Sequence, residues 1–145
     1  MKIINHLFHL KTGHGIKIYN ITPQIEERTS RSQITNGQAI VFSRHTTTAI
    51  AINENEERLF ADLVDYLEKL APPNAPYLHN DLHLRDVPPD EPENAHSHLM
   101  AITLSTSEVI PIAEGKLALG KWQSVLLLEL DGPREREVFV QLSGV

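Results

Sequence analysis

The run Val125-Leu-Leu-Leu-Glu-Leu130 constrains the fold of this chain more than any other stretch. Side chains alternate across a strand, so a segment that is apolar at almost every position offers hydrophobic surface on both of its faces. The strand predicted over Lys121–Leu130 is therefore buried on both sides for much of its length. A single small sheet struggles to cover it, whereas the face of another subunit could. Asp131-Gly-Pro-Arg134 follows as a hairpin turn into a closing strand, Glu135–Leu142.

The clearest helix is Glu56–Leu70, where Leu59, Phe60, Leu63, Val64, Leu67 and Leu70 recur at spacings of three and four. Asn53 with Glu56 three residues on fits a capping box, and Ala71-Pro-Pro73 stops the helix. Upstream, Lys2–Leu10 and Gly15–Tyr19 read as a hairpin joined by Lys11-Thr-Gly-His14. Thr22-Pro23 opens a short helix that ends before Asn36-Gly37. Gln38–Arg44 and Thr46–Ile52 read as one strand bent or bulged around His45. Residues 72–94 form a long Pro- and Asp-rich connection of the kind that is either functional or disordered. Asn94–Leu104 favours a short helix, with Leu99, Ile102 and Thr103 turned inward. The expected architecture is one domain, 1–145. It is an α+β fold of mainly antiparallel, sandwich-like β-sheets with one strong central helix and short additional helices.

With Cys 0, disulfides, thiolate metal sites and cysteine nucleophiles are excluded, and any metal site has to be built from histidine and carboxylate. A formal charge of -6 and no clustered lysine and arginine argue against nucleic-acid binding. No stretch approaches the roughly 20 apolar residues of a membrane span. No secretion signal opens the chain, so a cytoplasmic setting without a membrane partner is expected.

The chemistry-bearing stretch is Arg44-His-Thr-Thr-Thr48, leading to Asn53-Glu54. The eight histidines of the chain include His6, His9 and His14, to which no role is assigned. On a strand, His96 and His98 would share a face and could ligate one metal; on a helix they point about 200° apart. Trp122 reads as a packing anchor and Arg134 as the brace of its turn.

Four ordered blocks resemble the YjbQ-like family, whose members are also labelled secondary thiamine-phosphate synthases. These blocks are His45-Thr-Thr47 with Asn53-Glu54, Asn94-Ala-His-Ser-His-Leu99, Gly115-Lys-Leu with Leu119-Gly-Lys-Trp-Gln123, and Glu129-Leu-Asp-Gly-Pro-Arg134. The resemblance implies a compact α+β fold, a homotrimer and a pocket lined by the histidine blocks. The activity it implies joins a pyrimidine diphosphate to a thiazole phosphate, which calls for stabilising a departing pyrophosphate. In that reading His45, Glu54 and His98 are catalytic. Thr46, Thr47, Thr48, Asn53 and Asn94 contact the small phosphorylated substrate, and His45, His98, His96 and His79 are the candidate ligands of a divalent metal, Mg or Zn. Two alternatives use the same pocket: a non-catalytic trimer that binds a metal or an anionic metabolite, and a metal-assisted hydrolase.

Overall fold

The computed structural model describes residues 1–145. Eight strands and three helices follow one another as β1 (Lys2–Lys11), β2 (Gly15–Asn20), α1 (Thr22–Ser32), β3 (Asn36–Ser43), β4 (Thr48–Asn53), α2 (Glu57–Leu70), α3 (Ala95–Thr103), β5 (Ser107–Ala113), β6 (Lys116–Leu117), β7 (Ser124–Gly132) and β8 (Glu135–Gly144). They build a five-stranded sheet in the order β1-β8-β3-β5-β6 and a three-stranded sheet in the order β2-β7-β4. Every ladder is antiparallel. The α+β expectation holds.

The two-sided strand β7 lies at the centre of the smaller sheet, and its own chain covers both faces. Val125 and Leu127 join Val41, Val138, Val140 and Leu142 of the larger sheet in one core. Leu126, Leu128 and Leu130 point the other way, against Leu67 of α2 and Met100 and Ala101 of α3. No second subunit is needed to cover this strand. The molecule is thus layered as large sheet, small sheet and helices.

The first two strands do not form the expected hairpin. β1 pairs with β8 in the large sheet, and β2 pairs with β7 in the small one. The reason is a shared corner. The β1–β8 ladder ends at Lys11↔Glu135, and the β2–β7 ladder begins at Gly15↔Gly132. The connections β1–β2 and β7–β8 therefore cross between sheets side by side. The β3–β4 connection crosses at the same place, since β3 leaves the large sheet at Ser43↔Val138 and β4 enters the small one at Thr48↔Glu129. Backbones approach closely there: a Cβ on Gly132 would lie 1.9 Å from the carbonyl oxygen of Gly13.

Crossing segments leave the sheet ladders, so their polar groups need other partners. A buried ion pair supplies them. Arg136 Nε lies 2.7 Å from Glu129 Oε2, with side chains only 5% and 0% exposed. Arg136 also donates to Thr47 Oγ1, and Thr12 Oγ1 donates to Glu129 Oε1. One network therefore ties β7, β8 and both remaining crossings together.

Helix α2 begins one residue later than its pattern predicts, and Asn53 does not cap it. Glu56 is the cap, its carboxylate accepting from the N–H groups of Arg58 and Leu59, while Asn53 Oδ1 accepts from the N–H of Glu54. Helix α3 forms as expected but with the opposite face inward. Ser97 Oγ donates to the carbonyl of Leu130 at 2.7 Å, and this buried anchor turns Ala95, Met100 and Ala101 inward. Leu99 and Ile102 are left exposed. Residues 72–94 are ordered by two short 3-10 turns, Leu78–Asn80 and Leu82–Leu84. They are also held by bonds from Arg85 Nη1 to the His79 carbonyl and from the Ala95 N–H to Asn80 Oδ1. Trp122 is exposed rather than a packing anchor. No helix is long and apolar enough to cross a membrane.

Candidate functional site

The corner where the three connections cross opens into a cleft of about 360 Å³. The β3–β4 crossing contributes Arg44, His45, Thr46 and Thr47. The β7–β8 turn contributes Arg134 and the start of β8 Arg136; the segment before α3 contributes Glu91, Pro92 and Asn94, and α3 itself His98. Apart from Pro92, all of these side chains are polar or charged. Its three arginines stand out in a protein whose formal charge is -6, and each already has a carboxylate partner at the cleft wall: Arg44 with Glu137 at 3.2 Å, Arg134 with Asp131 and Arg136 with Glu129.

His45 is held by the backbone of β8. The N–H of Glu137 donates to His45 Nε2 at 2.8 Å, so the neutral ring carries its proton on Nδ1. His45 is thereby a hydrogen-bond donor with its lone pair already engaged. Burial lowers its pKa below the ordinary histidine value, and the nearby Arg136 guanidinium adds to the effect. His98 donates a ring N–H to the Thr46 carbonyl, and its pKa is lowered by burial and then by His79. The His79 and His98 rings meet edge to face, 4.7 Å apart and 77° between planes. Asn94 Nδ2 donates to Asp131 Oδ2 at 2.8 Å, and the same oxygen accepts from Arg134 Nη2 at 2.8 Å. Arg134 thus braces its turn as expected while also lining the cleft.

The structure brings His45, Thr46, Thr47, Asn94 and His98 together, although 53 positions separate the two histidines. Other expected members lie elsewhere. Thr48 points into the opposite face and is fully buried against the Ser43 hydroxyl. Asn53 and Glu54 sit at the far end of β4, about 16 Å beyond Thr48 at ~3.3 Å per residue. They line a separate cleft with Ile52, Trp122 and Gln123.

The metal expectation finds no ligand set. No group of three or more histidine, aspartate or glutamate side chains converges on a point. His45 offers no free lone pair at Nε2, and on helix α3 the His96 ring diverges from His98. His79 reaches the site only as the edge partner of His98. The sequence reading passed over Arg44, Arg136 and Glu91. Arg136 had left a signal: it shares the inward register of β8 with Val138, Val140 and Leu142, where an arginine has to find a buried partner.

A family model described as UPF0047 protein YjbQ-like matches residues 6–145. A UPF0047 protein of Methanothermobacter thermautotrophicus is 39% identical over 144 residues, spanning 99% of this chain and 94% of that one. Another, from Archaeoglobus fulgidus, is 43% identical over 132 residues, spanning 91% and 95%. Among solved structures, a YbjQ-like protein of unknown function from Sulfolobus solfataricus P2 superposes with a TM-score of 0.89 at 35% identity, covering 99% of both chains. These findings correct the thiamine-phosphate synthase expectation. The relatives carry a family designation without an activity, and the superposing structure is described as of unknown function, so the likeness conveys a fold and no reaction.

Proposed function

This chain belongs to the YjbQ-like UPF0047 family, and from that premise we propose that its corner cleft binds a small phosphorylated or similarly anionic metabolite. The carrying observation is the convergence of Arg44, Arg134 and Arg136 with His45, whose neutral ring is an Nδ1–H donor, on a cleft whose lining is polar apart from Pro92. Guanidinium groups and a fixed N–H donor stabilise an anion, and partial burial keeps their field from being screened as it would be in open water. His98 lies in the same cleft beside His79 and Asp131, and an imidazole there can exchange a proton near neutral pH.

The test uses sulfate, whose charge stays constant over the relevant pH range. Both histidines have lowered pKa values and are neutral above about pH 6.5; below it His98 is the ring that can gain charge, since the Nε2 lone pair of His45 is held by the Glu137 N–H. Around His45 lie Arg136, Glu137, Arg44 and Arg134; around His98 lie His79, Asp131 and Arg85. Calorimetry should show sulfate binding that tightens as pH falls below about 6.5. His45→Ala and His98→Ala should each weaken it, the second substitution adding little to the first because both act on one bound group. Affinity that ignores both pH and the two substitutions would refute the reading.

The expected homotrimer belongs to the same proposal but rests on a different face. On the outer side of the large sheet Leu7 lies opposite Phe139, and Phe139 lies opposite Phe42, with Ile40 beside Val109. Leu7 and Phe42 are 39% and 40% exposed, so this apolar row offers a surface that further copies can cover. Light scattering should give about three times the monomer mass; a monomer at micromolar concentration would remove the trimer.

A further inference from the structure

Resting on the anion-binding reading, we propose that the ligand is a hydroxylated phosphate monoester, of the sugar- or polyol-phosphate class. Its phosphate faces the arginines, and its hydroxyls are read by Glu91 and the threonine hydroxyls. Two observations define the part of the ligand that is not the phosphate. First, binding clefts for small molecules are usually lined by apolar and aromatic side chains, whereas here Pro92 is the one apolar residue and the only rings are the imidazoles of His45 and His98. An aromatic ring or acyl chain would exchange water for polar groups that it cannot satisfy.

Second, Glu91 lies in a cleft otherwise set up for an anion. Its side chain is 27% exposed and held at 3.9 Å by Arg85 Nη2. A carboxylate repels a phosphate and can only accept hydrogen bonds. It favours a ligand only when that ligand carries a hydrogen-bond donor at a distance from its charge, and a hydroxyl supplies one without adding charge. Thr46 and Thr47 add hydroxyls that donate as well as accept; Thr47 Oγ1 already accepts from Arg136 and so has its own proton free to give. Arg44 and Arg134 line the cleft with side chains 52% and 40% exposed, and guanidinium forks suit the several oxygens of a phosphate.

The discriminating experiment is calorimetry on the full chain at pH 7.5 with four probes: inorganic phosphate, glycerol 3-phosphate, glucose 6-phosphate and phenyl phosphate. A hydrogen bond to a charged acceptor translates into roughly a tenfold preference for at least one hydroxylated ester over phenyl phosphate. Glu91→Ala should bring the two classes to within about threefold of each other. Its thermal melt serves as the folding control. Phenyl phosphate binding as tightly as both hydroxylated esters, with inorganic phosphate also bound, overturns this inference and leaves the anion site standing. A preference that survives Glu91→Ala overturns the assignment of the hydroxyl contact to Glu91. Failure of all four probes overturns both readings.

Discussion

Arg136→Ala should cost about 3–5 kcal/mol of folding stability, the largest loss expected from any single truncation in this chain. The substitution leaves Glu129 fully buried without its guanidinium partner and removes the donor to Thr47 Oγ1. An uncompensated carboxylate in a dry corner is far more costly than the intact pair is beneficial, because both charges were desolvated together and satisfy one another. The loss should therefore be asymmetric. The double variant Glu129→Leu with Arg136→Met, which removes both charges and keeps apolar volume, should lose less than Arg136→Ala alone. Denaturant unfolding of the three proteins checks this. If the double variant is the least stable, the corner depends on the charges themselves rather than on their mutual compensation. Since the network ties three chain crossings that also wall the cleft, Arg136→Ala should also abolish sulfate binding.

Leu67→Ala comes next, at about 2–5 kcal/mol from lost burial and the cavity left behind. The helical stripe from Leu59 to Leu70 does not by itself rank its members. The structure does: Leu67 is the one residue of α2 that is fully buried, packed with Leu126, Leu128, Met100 and Ala101, whereas Leu63 is partly buried and Leu59 and Leu70 are exposed. Leu63→Ala should accordingly cost less than Leu67→Ala. An equal or larger loss at Leu63 in denaturant midpoint analysis would mean that the helix is rotated about its axis.

Local rules carried the strands, the long helix and the fold class. Period-two and period-3.6 patterns depend on neighbouring residues in sequence, and in this chain those neighbours also share a face. The same rules failed where two local choices were nearly equal in energy. For α3 the stripe of Leu99 and Ile102 competed with a polar anchor, and the buried Ser97 hydroxyl on the Leu130 carbonyl won because an unpaired carbonyl at that depth costs more than two exposed apolar side chains. At the start of α2, Glu56 displaced Asn53 as cap because Asn53 is still held in β4 by Ser124.

By itself, then, the sequence determined a strand that must be covered on both faces, an amphipathic helix able to cover one of them, and a cysteine-free chain in which histidine and carboxylate are left as the candidate site groups. Only the tertiary structure decided which of those groups meet. Three connections cross between two sheets at one corner, so His45, Arg136 and His98 converge there. The same geometry sends Glu54, nine residues from His45 in sequence, to the other end of its strand. The physical reason is that a strand keeps neighbours apart at ~3.3 Å per residue while a sheet corner brings distant segments into contact. Proximity along the chain therefore says little about proximity in the site.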